Sequence, residues 1–172
     1  MELYHNNMSV CAQKVRLVLA EKGLKPIEHH KVLRNGDTHT PEYLKLNPKG
    51  VVPTLVDRGA IIVESTIICE YLEEMKPQPC LIGATAAERA NTRMWVRRVE
   101  LNITEYMYNG FRFAEGLEIF KNRVLCLPEA AAGLKAKGKA GREWLDKLMA
   151  GRDFVAGNSF TLADIVLFAC LD

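Results

Sequence analysis

Two residues that could take part in thiol chemistry, Ser9 and Cys11, lie where a first predicted strand gives way to a first predicted helix. The free N–H groups and the dipole at a helix N-terminus lower the pKa of a thiol or stabilise a nearby thiolate. Cys11 could therefore be a reactive thiol, or the Ser9 hydroxyl could donate a hydrogen bond to the thiolate of a bound ligand. Each residue also has an ordinary structural role, Ser9 as a helix cap and Cys11 as a small buried apolar side chain.

A second candidate site lies in NPKGVVPTLVDRGAIIVESTIICEYLEE, residues 47–74. A cis bond before Pro53 would direct the backbone of Val52 outward, where an extended peptide could pair with it. A trans Pro53 that merely begins an edge strand is the commoner case. Glu64 and Ser65 fall between a strand and a helix, so they could hold the ammonium and the carboxylate of an amino acid head. The alternative is that Ser65 is an ordinary helix N-cap.

The residues between and around these motifs predict a small α/β unit. Apolar spacing and turn signals indicate strands in MELYHNN, KPIEHHKV, PTLVD and AIIVE, and helices in CAQKVRLVLAEKG, PEYLKL and STIICEYLEEM. The resulting order is β-α-β-α-β-β-α. Both candidate sites then fall on connections between strands and helices, where binding residues are commonly found.

The rest of the chain predicts helices only. The segment KPQPCLIGAT, with two prolines and a glycine, reads as a linker. Helical patterns follow from Ala86 to about Ala114, from about Glu129 to Met149, where three glycines weaken the pattern, and in TLADIVLFACLD. Because the chain stops at Asp172 within an apolar helix, we expect the second domain to be incomplete at its C-terminus. The predicted limits are an α/β domain at 1–77, a linker at 78–85 and an all-helical domain at 86–172.

Composition narrows the possible partners. The chain has 23 Lys and Arg against 21 Asp and Glu, a balance that gives no reason to expect nucleic acid or an anionic membrane as partner. No apolar run approaches the roughly 18 residues of a membrane span. The five cysteines are scattered without metal-ligand spacing, so we expect neither a metal site nor a disulfide framework, and we expect a cytoplasmic location.

Taken together, the motifs resemble those of the glutathione S-transferase family, and the resemblance extends over essentially all 172 residues. It is carried by SVCAQKVR, VVPTL and VEST in that order, and by SFTLADI in the second half. In SFTLADI, Thr161 and Asp164 fit a capping box, and Phe160 with Ile165 fits a hydrophobic staple. The resemblance implies a thioredoxin-like N-terminal domain followed by a helical-bundle domain.

The resemblance also implies roles for the first motifs. Pro53 would be cis, and the Val52 backbone would pair with the cysteinyl part of glutathione. Glu64 and Ser65 would hold its γ-glutamyl end, and its thiol would point at Ser9. For the glycine carboxylate of glutathione the first choice is His39, and the available alternatives are Lys49 and Arg34.

The start of the chain favours one subgroup of the family. Some members use a tyrosine at the end of the first strand, but His5 stands at that place here. Tyr4 is one residue early and should face the other side of the strand. The sequence is more similar to the serine or cysteine types, such as the theta and zeta classes. Ser9 is the expected thiolate stabiliser, and Cys11 is the alternative, as in a zeta-like isomerase or a reductive dehalogenase.

The expected function is that of a glutathione transferase. Glutathione, as co-substrate and without a metal, would be conjugated to a small hydrophobic electrophile, as in detoxification, by a homodimer. The alternative from another class is a binding module with the same fold and no turnover. Aromatic residues that could line a second-substrate pocket, although such a stripe is more often core, are Tyr106, Tyr108, Phe111 and Phe113.

Overall fold

The chain forms two compact units, Met1–Ile82 and Gly83–Asp172. The computed structural model describes residues 1–171, so Asp172, the last residue of the predicted helical domain, lies outside the described residues. The predicted linker includes Leu81 and Ile82, which belong to the first unit. No described helix is long and apolar enough to cross a membrane.

The first unit is built on a four-stranded sheet with strand order β2-β1-β3-β4. β1 pairs in parallel with β2 and antiparallel with β3, and β3 pairs antiparallel with β4. Arg58 and Gly59 turn the β3–β4 hairpin, both at positive φ, as a two-residue hairpin turn requires. The strands are β1 (Glu2–His5), β2 (Ile27–His30), β3 (Thr54–Asp57) and β4 (Ala60–Val63).

Three α-helices accompany this sheet: α1 (Val10–Glu21), α2 (Pro41–Leu46) and α3 (Ser65–Met75). The core contains fully buried residues of α1 and α3, among them Val15 and Ile68. On α2, the buried Tyr43 donates a hydrogen bond to the Val51 carbonyl at 2.7 Å. The element order confirms the predicted β-α-β-α-β-β-α pattern and is that of a thioredoxin-like domain.

A buried ion pair joins α1 and α3 to the chain that follows them. The Lys22 ammonium lies 2.5 Å from the Glu73 carboxylate, and both side chains are almost fully buried. Lys22 also donates to the carbonyls of Lys76 and Pro79, at 2.7 and 2.9 Å. The other Glu73 oxygen accepts the Leu81 N–H at 2.9 Å. Such a pair needs these extra hydrogen bonds because two desolvated charges rarely stabilise a fold by themselves.

The second unit is helical, as the sequence predicts. One predicted helix is interrupted, because a π-helical segment separates α4 from α5. A 3₁₀ turn at Pro128–Ala130 precedes α7, and the short α6 has no counterpart among the predicted helices. The elements are α4 (Ala86–Val99), the π-helical segment (Glu100–Thr104), α5 (Glu105–Arg112), α6 (Leu117–Phe120), α7 (Ala131–Met149) and α8 (Leu162–Leu171).

Two of the three glycines of α7, Gly138 and Gly141, have a packing role that their helix propensity does not reveal. A Cβ on Gly141 would overlap the Asn102 carbonyl oxygen of the π-helical segment, and one on Gly138 would lie 3.2 Å from Met107 Cγ. Glycine therefore lets α7 approach the π-helical segment and α5 closely. The propensity cost of glycine, about 1 kcal/mol each, is offset by this contact.

The capping box predicted at the start of α8 is present in part. The Asp164 carboxylate accepts the Thr161 N–H at 2.8 Å and the Thr161 hydroxyl at 3.0 Å. Its second oxygen accepts the Val155 N–H at 2.7 Å, so the same carboxylate also fixes the preceding loop. Phe160 is 41% exposed, and its staple with Ile165 stays a prediction.

Candidate functional site

The predicted binding motifs of the first unit meet at one edge of the sheet. Thr54, the first residue of β3, pairs with Tyr4 of β1 on one side and with Val63 of β4 on the other. The chain leaving β1 toward Ser9, the chain entering β3 and the chain leaving β4 into α3 therefore emerge side by side. Strand pairing brings together residues that are more than 50 positions apart in the sequence.

Ser9 is the N-cap of α1. Its backbone is extended, at φ −87° and ψ 113°, and its Oγ accepts the Ala12 N–H at 3.3 Å. A hydroxyl has one donor and two acceptor positions. Because the cap uses only an acceptor position, the Ser9 O–H can still donate to a ligand. The two roles considered for Ser9 are thus compatible.

Cys11 is the second residue of α1 and is half-buried. Its thiol is free and makes no hydrogen bond to another residue in the described range 1–171. The thiol therefore lies in the helical turn that Ser9 caps, and no hydrogen bond to the described residues engages it. This placement is compatible with either of the roles predicted for Cys11.

The strand before this turn has the alternation expected from the sequence. Tyr4 is half-buried between two residues, Leu3 and His5, that are buried at 0% and 2% exposure. The Tyr4 hydroxyl donates to Glu2 at 3.1 Å, and its ring stacks on His29 with 4.4 Å between centroids. Burial and the hydrogen bond to Glu2 raise the pKa of Tyr4, which is the opposite of what a thiol-activating tyrosine needs.

His5, the last residue of β1, is buried. Its Nε2 lies 3.3 Å from the Glu28 carboxylate, and its Nδ1 is buried with no hydrogen-bond partner among residues 1–171. Burial lowers the pKa of His5, although Glu28 opposes this effect. Since the imidazole is favoured in its neutral form, His5 does not place a fixed positive charge near Ser9.

The turn before β3 leaves a backbone unpaired. The bond between Val52 and Pro53 is cis, which confirms the prediction. Val52 is 8% exposed, yet within residues 1–171 neither its N–H nor its carbonyl makes a hydrogen bond. The preceding Val51 carbonyl, by contrast, accepts from Tyr43 at 2.7 Å and from Asn47 at 3.0 Å. Side chains thus hold the turn. The backbone N–H and carbonyl of Val52 are left open to a ligand, and we call them the open edge.

Tyr43 and Asn47 are supporting residues that the sequence did not reveal. Both contact the Thr54 hydroxyl, at 3.0 and 3.2 Å, as well as the Val51 carbonyl. The Asn47 side-chain oxygen also accepts the Lys49 N–H at 3.1 Å. The NPKG sequence signals a turn, but the partners of its asparagine depend on tertiary contacts.

Glu64 and Ser65 open α3 in an unusual way. Glu64 occupies the N-cap position at φ 65° and ψ 113°, a conformation that costs a non-glycine residue about 1–3 kcal/mol. None of the side chains described in residues 1–171 caps α3, and Ser65 is its first helical residue. The reading of Ser65 as an ordinary N-cap is therefore wrong. Ser65 is 8% exposed, and its hydroxyl has no hydrogen-bond partner among residues 1–171.

Basic residues near this opening differ in their contacts. The Lys49 ammonium lies 3.0 Å from the Glu64 carboxylate, with both side chains more than half exposed. An exposed pair contributes about 0–1 kcal/mol, so a ligand can replace it. His39 is exposed, its Nδ1 lies 3.2 Å from the Thr38 hydroxyl, and its ring covers Gly50. Arg34 is exposed in a 3₁₀ turn, Leu33–Asn35.

The aromatic residues proposed for a second-substrate pocket lie on α5 or directly after it. They are Tyr106, Tyr108, Phe111 and Phe113. Lys137 of α7 lies over the Tyr106 ring at 5.1 Å, and Phe120 meets Phe111 edge to face at 6.4 Å. Phe111 is 48% exposed and the other three are half-buried, so none is a fully buried core residue. Their role in substrate binding stays a prediction.

Comparison with known proteins agrees with this architecture. The family model "Glutathione S-transferase, N-terminal domain" matches residues 8–75. Glutathione S-transferase 2 of Saccharomyces cerevisiae is 33% identical over 99% of this chain and 75% of its own length. The crystal structure of Gtt2 from S. cerevisiae has a TM-score of 0.90 and 30% identity, over 99% of this chain and 84% of that one. A stringent starvation protein A homolog of Coxiella burnetii is 30% identical over 97% of this chain and 72% of its own length.

The fold and the open edge beside β3 define a two-domain protein with a thioredoxin-like unit and a helical unit. The extent and identity of the matches then identify the family. The chain belongs to the glutathione S-transferase family. Among residues 1–171, no group of three or more His, Cys, Asp or Glu side chains is arranged to hold a metal ion.

Proposed function

We propose that this protein is a glutathione transferase that binds glutathione, stabilises its thiolate and conjugates it to a small hydrophobic electrophile. The observation that carries the proposal is the open edge at Val52. A buried residue with an unpaired N–H and carbonyl presents one donor and one acceptor to an extended peptide. Glutathione is a short peptide and can satisfy both groups.

Binding of the γ-glutamyl end falls to Glu64 and Ser65. That end carries both an ammonium and a carboxylate. The Ser65 hydroxyl and the uncapped start of α3 are donors suited to the carboxylate, and the Glu64 carboxylate suits the ammonium. The ligand ammonium would replace Lys49, whose exposed pair with Glu64 is weak. Lys49 is then free to contact the glycine carboxylate, a role that we also assign to His39 as a candidate.

Ser9 would act on the thiol. An ordinary thiol has a pKa near 8.5, so little thiolate exists at neutral pH. A hydrogen bond to a charged group contributes about 1.5–3 kcal/mol, and one pKa unit corresponds to about 1.4 kcal/mol. One bond from the Ser9 hydroxyl is therefore enough to lower the pKa by about one unit. The proton leaves to solvent, and the thiolate sulfur forms a bond to the electrophilic carbon as the leaving group departs, which is chloride when the electrophile is 1-chloro-2,4-dinitrobenzene.

Cys11 supports a second candidate within the enzyme class. Its half-buried free thiol lies two residues after Ser9 in the same helical turn. In a reductive dehalogenase, the Cys11 thiolate would attack the sulfur of a glutathione–substrate conjugate, so that the carbon–sulfur bond breaks, the carbon takes up a proton and a mixed disulfide of Cys11 and glutathione forms. A second glutathione would then release Cys11 by exchange. Alternatively, the thiol could serve a zeta-like isomerisation. This reading predicts that Cys11, rather than Ser9, is indispensable.

A third candidate is a binding module with the same fold and no turnover, because a fold by itself does not determine function. The first experiment separates the candidates by retention on immobilised glutathione, followed by a conjugation assay with 1-chloro-2,4-dinitrobenzene. Retention with turnover is the result expected of a transferase. Retention without turnover would favour the binding module, and no retention would contradict the proposed glutathione site.

We further propose that the protein is a cytoplasmic homodimer with a role in detoxification. The support is membership of the family and, for the cytoplasm, the five scattered cysteines without a disulfide framework. Light scattering at micromolar concentration tests the assembly, and twice the chain mass of 19.3 kDa is expected. A mass equal to one chain would contradict the dimer and leave the glutathione site unaffected.

A further inference from the structure

Two arginines of the second unit lie against one aromatic ring. Arg112 is the last residue of α5, and Arg123 follows α6, whose last residue is Phe120. The guanidinium carbon of each arginine lies 5.6 Å from the centre of the Phe120 ring. We call Arg112 and Arg123 the arginine pair. Contact with the ring keeps both guanidinium groups near each other although they repel.

No carboxylate neutralises the arginine pair within residues 1–171. The two nearest glutamates in sequence are already paired elsewhere, Glu115 with Lys135 at 2.5 Å and Glu118 with Lys121 at 2.6 Å. Arg112 donates to a neutral group, the Asn109 side-chain oxygen, at 3.2 Å. Two positive charges therefore share one aromatic contact without a counter-charge from the described chain.

Arg123 has unmet hydrogen-bonding capacity. Its Nε and Nη1 atoms are buried and have no hydrogen-bond partner among residues 1–171. Burial lowers the pKa of Arg123, and the positive charge of Arg112 lowers it further. A buried charged donor without a partner is unfavourable, and such groups commonly mark a bound ion or water.

We propose that the arginine pair binds an oxyanion, the carboxylate or phosphate group of a small molecule. Guanidinium groups are planar and carry several N–H donors, whose spacing matches that of the oxygens of a carboxylate or a phosphate. An oxyanion would satisfy the buried donors of Arg123 and remove the repulsion between the two arginines. This inference lies in the helical unit and does not rest on the proposed glutathione site.

The test is a titration of the whole chain, labelled with ¹⁵N-arginine, with sodium phosphate and separately with sodium benzoate. Ionic strength is held constant with sodium chloride, because screening alone changes exposed charges. We expect a saturable shift of the Arg123 side-chain N–H signal with at least one probe. Arg112→Gln should weaken that binding about tenfold, the effect of losing one charge-assisted hydrogen bond. Arg123→Gln should abolish it.

The matched control is Arg152→Gln, which removes the same charge from an exposed position of the same unit and should leave the affinity unchanged. Thermal unfolding gives a second readout. The binding probe should raise the Tm of the wild type and of Arg152→Gln, but not that of Arg123→Gln. The absence of a saturable shift with both probes, or an equal response of Arg123→Gln, would overturn the proposal and assign the buried donors to water. Binding of phosphate but not benzoate would identify a tetrahedral group, and the reverse a planar one.

Discussion

The N-termini of α1 and α3 lie at the same edge of the sheet but differ in how they are capped. α1 is capped by the Ser9 side chain, whose Oγ accepts a helical N–H at 3.3 Å. α3 has no side-chain cap and follows Glu64, which is held at positive φ. The first end is complete without a ligand and keeps one hydroxyl proton to donate. The second end is left incomplete, and its strain is the sort of feature found at binding sites.

The largest expected effect is at the open end. Ser65→Ala should weaken glutathione binding by about 1–2 kcal/mol, roughly 5- to 30-fold, because it removes a donor to a charged group. Since Ser65 makes no cap hydrogen bond, the free energy of unfolding should change little. Calorimetry with glutathione and denaturant unfolding measure the two quantities. Unchanged affinity would show that Ser65 does not contact the ligand.

At the capped end the pattern should be reversed. Ser9→Ala should raise the pKa of bound glutathione by about one unit, so conjugation at neutral pH should fall about tenfold and partly recover at high pH. Stability should also fall, by about 1 kcal/mol, through loss of the cap. Glutathione affinity should change little. The measurement is a pH–rate profile with one generic electrophile.

Two matched variants separate the contributions of Ser9. Thr85→Ala removes the cap of α4 and should reduce stability by a similar amount without changing the pH–rate profile. Cys11→Ala should leave conjugation nearly intact and abolish only reactions through a mixed disulfide. If Cys11→Ala loses conjugation while Ser9→Ala keeps the wild-type profile, the roles assigned to the two residues are reversed.

The strain at α3 can be tested directly. Glu64→Gly should stabilise the fold by about 1 kcal/mol, because glycine adopts positive φ without steric cost. The same change should weaken glutathione binding through loss of the carboxylate. Glu64→Gln serves as control, since it removes the charge and keeps the strain. A stability gain equal in both variants would mean that charge, and not backbone strain, limits this position.

The smallest effect concerns His5 at the end of β1. Its folded-state pKa lies below the ordinary 6.5, so the unfolded chain binds the proton more readily. The contribution of His5 to stability is complete above about pH 6.5 and is lost as pH falls toward the folded-state pKa. His5→Gln should therefore lose less stability than the wild type between pH 7.5 and 5.5.

The sequence predicts local features of this edge well and tertiary ones poorly. Apolar periodicity located α1, and Pro41 as a first helical residue located α2. The motif VVPTL predicted the cis bond at Pro53 through resemblance. The open end of α3 was one of two readings of the sequence, and the other, Ser65 as a cap, is the commoner role of a serine at a strand–helix junction. Glu64, at positive φ, takes the N-cap position instead, so Ser65 becomes the first residue of the helix.

Two features could not be predicted because they depend on tertiary contacts. Gly141 reduces the helix propensity of α7, and the close approach of its backbone to the Asn102 carbonyl explains why glycine is present there. The partners of Lys22 also escaped prediction, because they lie more than 50 residues away and most lysines are exposed. Both depend on contacts between segments distant in sequence, which local patterns do not contain.

The buried ion pair of Lys22 and Glu73 determines where the first unit can be excised. A fragment ending at residue 77 would lack the Pro79 carbonyl and the Leu81 N–H, and both buried charges would lose hydrogen bonds. Limited proteolysis near the boundary between the units should therefore cut after Ile82 rather than between residues 77 and 82. A fragment of residues 1–82 should unfold cooperatively, and one of residues 1–77 should be less stable and more rapidly degraded.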